Sequence, residues 1–139
     1  LSVAFIKPAG EELYLEIDQH LEGCNDWVRE NVLPYLRDEK VSPEVAAQAI
    51  RDFIGASKPH LIADVNQFDW MGICGLLGVY EHPFQYIPID FASILWAHGI
   101  DPDIDRLEFA KSKGIDVSNF KKHKALDDAR VLKALYESF

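Results

Sequence analysis

Three features of the sequence predict an α/β fold. Its front reads as two extended runs joined by a turn, its middle passes twice from a short apolar run straight into a helix, and its end is an amphipathic helix.

Leu1-Ser-Val-Ala-Phe-Ile6 is a continuous apolar run, Lys7-Pro-Ala-Gly10 supplies turn residues, and Glu12-Leu-Tyr-Leu-Glu-Ile17 alternates polar with apolar. The two runs therefore form an antiparallel hairpin. The second reads as a half-exposed edge strand, with Glu16 and Asp18 on its solvated face. The first is apolar on both faces, as suits an interior strand with neighbours on both sides, which implies a further strand ahead of Leu1.

Asn25 caps a short helix, Asp26-Trp-Val-Arg-Glu-Asn-Val-Leu33, which closes before Pro34 and turns Trp27 and Val28 inward. Ser42 and Pro43 open a second helix that runs to Gly55, with Val45, Ala46, Ala49, Ile50 and Phe53 as its inner stripe. His60-Leu-Ile-Ala63 is a short buried strand, and Asp64-Val-Asn-Gln leads from it into a helix from Phe68 to Leu77. That helix is apolar nearly all round, so burial is expected on every side. Tyr80 to Phe84 is a loop and Tyr86 to Ile89 an extended piece, after which Asp90 caps a helix from Phe91 to His98 that ends at Gly99. An acidic turn from Asp101 to Asp105 precedes a short helix from Ile104 to Lys113, ended by Gly114.

A chain of 139 residues, 48% hydrophobic, fills one core and forms one domain. No apolar run reaches the length of a membrane span and no basic segment leads into one, so a soluble, cytoplasmic protein is expected. Cys24 and Cys74 make no disulfide framework and no zinc spacing, and are expected as reduced, buried thiols. The formal charge of −9 repels a polyanion from the average surface. Lys121, Lys122 and Lys124 form the one basic cluster beside candidate chemistry, where they either meet a phosphate or simply solvate a loop.

On the final helix, Ala125 to Phe139, the apolar stripe Ala125, Ala129, Leu132, Leu135, Tyr136 and Phe139 contains Asp128, while Asp127 turns outward with Arg130 and Glu137. An ionised carboxylate on a core stripe needs a cation, a metal or a wet cleft; the plainer role is to cap a buried amide. His123 is about 140° away from Asp128 on a helix, so it belongs to the loop before the first turn. Asp69 is a second inward acid, sharing a face with Ile73 and Leu76 at a helix start, where capping alone would also explain it.

Asn66-Gln-Phe-Asp69, followed far downstream by His123-Lys-Ala-Leu-Asp-Asp128-Ala, resembles the second and third motifs of the DEDDh family of 3′-to-5′ exonucleases. The hairpin and the Asn31-Val-Leu-Pro34 run are most similar to the small branch of mycobacterial-type 3′-to-5′ exoribonucleases. The resemblance implies an RNase H-like mixed sheet flanked by helices, and a single exonuclease domain over residues 1–139 that lacks its first central strand. It further implies two divalent ions, Mg²⁺ or Mn²⁺, bound in part by Asp69 and Asp128, with His123 as general base and Phe68, Asn66 and Lys124 on the substrate. Single-stranded 3′ ends, of RNA rather than DNA, are the expected substrates, and a homodimer is the expected partner copy.

The family's first motif, an Asp-x-Glu on the first central strand, is absent from the sequence. That strand is expected ahead of Leu1, and the polypeptide beginning at Leu1 is expected to cleave little or nothing by itself. A non-catalytic nucleic-acid-binding or scaffold domain on the same fold, and a two-metal hydrolase of another phosphoester, are the competing expectations.

Overall fold

A computed structural model describes residues 2–18, 24–36 and 39–139. The elements are β1 (Ser2–Ile6), β2 (Glu12–Glu16), α1 (Asp26–Asn31), α2 (Pro43–Ile54), β3 (Ile62–Ala63), α3 (Asn66–Leu77), β4 (Ile89–Asp90), α4 (Phe91–Ala97), α5 (Arg106–Ser112) and α6 (Ala125–Glu137). The architecture is mixed α/β, with two two-stranded sheets, β1-β2 antiparallel and β3-β4 parallel. Leu1 lies outside the described residues.

The hairpin is closed by local chemistry. Lys7 N–H donates to Glu11 C=O at 2.9 Å and Gly10 N–H to Lys7 C=O at 2.9 Å. Gly10 has φ +98°, a conformation that side chains resist, so Pro8-Ala9-Gly10 is a three-residue turn that needs its glycine. From Lys7–Glu11 the hydrogen-bonded pairs alternate through Phe5–Leu13 and Val3–Leu15. The backbone groups of Ser2, Ala4 and Ile6 then face the opposite edge, which carries no strand among the described residues.

The apolar character of β1 on both faces has a cause other than strands at both edges. Val3, Phe5, Leu13 and Leu15 point into a core with Ala47, Ile50 and Ile54 of α2, Ile73 and Leu77 of α3, and Phe84. On the other face Ile6 and Glu12 meet Arg130 and Ala134 of α6. Helices therefore cover the hairpin above and below. Glu16 belongs to that interior and not to a solvated face: it is 4% exposed and accepts the Tyr14 hydroxyl at 2.7 Å. Arg130 locks α6 to β2 through two bonds to the Glu12 carboxylate, at 2.7 and 2.6 Å.

A second cluster joins Phe91 and Leu95 of α4, Phe109 and Ala110 of α5, Val117, and Val131 and Leu135 of α6. The predicted caps are present: Asn25 accepts Val28 N–H, Ser42 accepts Val45 N–H, and Asp90 accepts Ser93 N–H. Helix α1 stops at Asn31, two residues short of the predicted end, and passes into a tight 3-10 turn, Leu33–Tyr35, that takes in Pro34.

Three helices pack differently from the stripes read in the sequence. In α2 the buried residues are Ala46, Ala47, Ile50 and Ile54, while Val45 faces solvent. Helix α3 buries only Ile73 and Leu77; covered on one side alone, it exposes Phe68 and Met71. Helix α1 buries nothing, and Trp27 is 51% exposed. No helix among the described residues is long and apolar enough to cross a membrane. Cys24 and Cys74 are free and only half-buried.

Leu135 is fully buried in the second cluster, so Leu135→Ala is expected to lower the unfolding free energy by about 2–5 kcal/mol in urea titrations. Val45→Ala, on the open face of α2, is expected to change it by less than about 0.5 kcal/mol.

Candidate functional site

The site forms at the carboxyl ends of the two parallel strands, where an α/β sheet opens toward its helix starts. β3 runs beside β4 with Ile62 opposite Ile89 and Ala63 opposite Asp90. Each strand is followed at once by an acid or ends on one: Asp64 after β3, Asp90 at the end of β4. One Asp90 oxygen accepts Asn66 N–H at 3.0 Å and the other accepts Ser93 N–H at 2.8 Å, so a single carboxylate caps both α3 and α4. Burial pushes the Asp90 carboxyl up, but these bonds, the Ser93 hydroxyl and nearby Arg106 outweigh it and hold it below its ordinary range.

Asp64 is the hub. Arg106, the first residue of α5, donates Nε–H to its carboxylate at 2.7 Å and also donates to the carbonyls of Ile104 and Pro102. The charge of Asp64 is felt by two other acids. Asp69 is raised above the usual carboxylate range, first by burial and then by repulsion from Asp64. Asp128 is pushed up to about 6, again first by burial, with Asp127 and Asp64 adding repulsion while the His123 N–H and the Lys122 charge oppose it. Both side chains open to solvent, yet protein crowds their carboxyls. Carboxyls that are crowded by protein yet still meet water are candidates for a functional site.

The turn of α6 differs from the sequence reading in a way that bears on every acid here. Asp127, read as outward, is 9% exposed and lines up with buried Val131 and Leu135; Asp128, read as a core position, is exposed. The reason is local. Asp127 is the third residue of α6, and its carboxylate accepts Lys121 N–H at 3.2 Å and pairs with Arg130 at 3.4 Å. It ties the preceding loop to the first turn, which a carboxylate at that position does well. With Asp127 turned in, Asp128 is left at the rim facing Asp64.

His123 lies in that loop, as expected, and has φ +65°. A left-handed backbone at a residue other than glycine costs on the order of 1 kcal/mol and needs support. Support comes from two bonds made by its neighbours: Lys121 N–H to Asp127, and Lys122 to Asp105. The His123 ring meets the Trp27 indole at 4.9 Å, nearly perpendicular.

The structure thus brings Asp69 and Asp128 each within reach of the Asp64 charge, neither of them being among the charges that act on the other, and places His123 in the loop that leads into the helix of Asp128. It does not bring in the other three candidates. Phe68 is 74% exposed and in contact with no other ring among the described residues. The Asn66 amide N–H is taken by Asp90, and its side-chain oxygen is buried with no partner among the described residues. Lys124 caps α6 by position, without a side-chain bond. Among the described residues no three His, Cys, Asp or Glu side chains gather closely enough to hold a metal ion.

Two recesses lie away from the acids: about 200 Å³ where α6 meets the hairpin, and about 430 Å³ between α2 and α3 beside Arg51 and Gly75. The acids occupy an open face instead. Asp64 was within reach of sequence reasoning, since it directly follows a strand; Arg106, 42 residues away, carried no such signal. No family model matches the chain, and no curated protein matches it.

Asp128 ionises less readily in the folded protein than in the unfolded chain, whose value is near 3.8. The folded state therefore holds the proton over the window between those values, and the stability this contributes is lost as the pH rises through about 6. Asp128→Asn is expected to stabilise the fold at about pH 7.5 by on the order of 1 kcal/mol after solvent screening, seen as a higher melting temperature, and to change it little near pH 3.5. Thermal melts of both proteins across that range check this.

Proposed function

We propose that the chain is the greater part of a metal-dependent 3′-to-5′ exonuclease domain, RNase H-like in fold and of the DEDDh kind, acting on single-stranded ends and on RNA before DNA. The observation that supports it most is the crowding of Asp128 at the open ends of the parallel strands, where burial and the charges of Asp127 and Asp64 push its carboxyl up to about 6. Raised, mutually repelling carboxylates fit a hard divalent cation, which would relieve the repulsion. Asp69 and Asp128 would hold such ions, with further oxygen ligands needed beyond these two.

When bound, the ions would supply Lewis-acid chemistry, activating a water and stabilising the leaving 3′ oxygen. His123 would take a proton from that water on a ring nitrogen. Arg106 and Lys122 place positive charge beside the acids, which tempers the repulsion an incoming phosphate meets at a chain of net charge −9. Phe68, exposed on the next position of α3, presents a flat face for a terminal base. A cytoplasmic location and a homodimer belong to the same reading.

A non-catalytic nucleic-acid-binding domain is the second reading, favoured by the lack of a three-ligand group among the described residues. Added Mn²⁺ separates the two. Under the nuclease reading it selectively broadens the amide resonances of Asp69, His123 and Asp128, spares α2, and loses this effect in Asp128→Asn. Uniform or absent broadening sinks the metal site. In a cleavage-competent preparation carrying this chain, Asp128→Asn is expected to lower the rate by about 10²-fold or more, and a blocked 3′ end to resist shortening.

A further inference from the structure

Helix α1 presents a packing puzzle. It is six residues long, buries none of them and gives no residue to either core cluster, although most helices hold their place by burying a face. Its largest apolar side chain, Trp27, is left half in solvent. The contact it makes is with the His123 ring, at 4.9 Å and 83° between planes.

The other supports of His123 act on its backbone. Lys121 N–H on Asp127 and Lys122 on Asp105 anchor the two residues before it and hold the loop in which it takes its left-handed φ. Neither of them fixes the direction of the imidazole. No group among the described residues hydrogen-bonds either ring nitrogen. The ring therefore takes its direction from the indole, through an edge-to-face contact that occupies neither nitrogen.

We propose that Trp27 is a positioning residue for His123: its indole sets the direction of the imidazole and leaves both ring nitrogens free of hydrogen bonds, so that the unprotonated one, whichever tautomer is present, is open to accept a proton. The purpose of this arrangement rests on the nuclease reading above, whereas the contact itself does not. A histidine oriented by a carboxylate or a carbonyl has one nitrogen occupied by the orienting bond. Orientation by an aromatic edge avoids that and keeps the strand-end acids free for other work.

The test uses Trp27→Ala and Trp27→Phe with two readouts. The first is the nuclear magnetic resonance of the His123 ring protons, which lie in the ring-current field of the indole. They are expected to move and narrow in Trp27→Ala and to keep part of their displacement in Trp27→Phe, with the His123 amide and the melting curve little changed. Ring resonances that stay put in Trp27→Ala overturn the proposal, whether or not the protein is a nuclease. The second readout is steady-state cleavage in a competent preparation: Trp27→Ala is expected to lower kcat about tenfold to a hundredfold at nearly constant KM, with Trp27→Phe recovering most of it. A rise in KM at constant kcat, or no rescue by phenylalanine, also overturns it. Failure of Mn²⁺ to broaden Asp69 and Asp128 in the unaltered protein is the separate signature of a failed nuclease reading.

Discussion

The inward turn of Asp127 governs the arrangement of the site. A carboxylate at the third position of α6 accepts Lys121 N–H and lines up with Val131 and Leu135, and this sets the rotation of the whole helix. Once that rotation is set, little else is free. Arg130 comes round to Glu12 on the hairpin, Leu135 enters the cluster with Phe91 and Phe109, and Asp128 is carried to the rim opposite Asp64. The loop that carries His123 is closed by the same bond. Packing and the candidate chemistry are thus two results of one choice of helix face.

The acids are arranged at the expense of the fold. Asp64 and Asp90 are compensated, the first by Arg106 and the second by two capped helix starts. Asp69 and Asp128 are not: burial raises both, and the nearest charges to each include another acid. A fold selected for stability alone would place neutral residues there. Raised acids at the end of a sheet, beside compensated ones of the same type, are what mark this face as the candidate site.

What was legible in the sequence was the local code. The hairpin turn with Gly10, the Ser42-Pro43 helix start and the Asn25 and Asp90 caps each depend on a few adjacent residues, and each stands where it was expected. Helix rotation was less legible because it depends on partners far along the chain. In α6 the small residues Ala125, Ala129 and Ala134 make the apolar stripe indistinct, and the bond from Lys121 to Asp127 decides between two nearly equal faces. In α3 apolar residues on every side leave no phase to read, so the exposure of Phe68 and Met71 carried no warning. Trp27 was read as turned inward with Val28; its contact with His123 joins two segments that the sequence holds far apart.

The outer edge of β1 has a bearing on how the protein behaves in solution. Among the described residues no strand pairs with the amide and carbonyl groups that Ser2, Ala4 and Ile6 present there, and none of the three carries a charge. Two copies meeting through that edge would each bring a formal charge of −9, and the repulsion between them would weaken as salt is added. Any sheet extension between copies would therefore be favoured by ionic strength and opposed by dilute buffer.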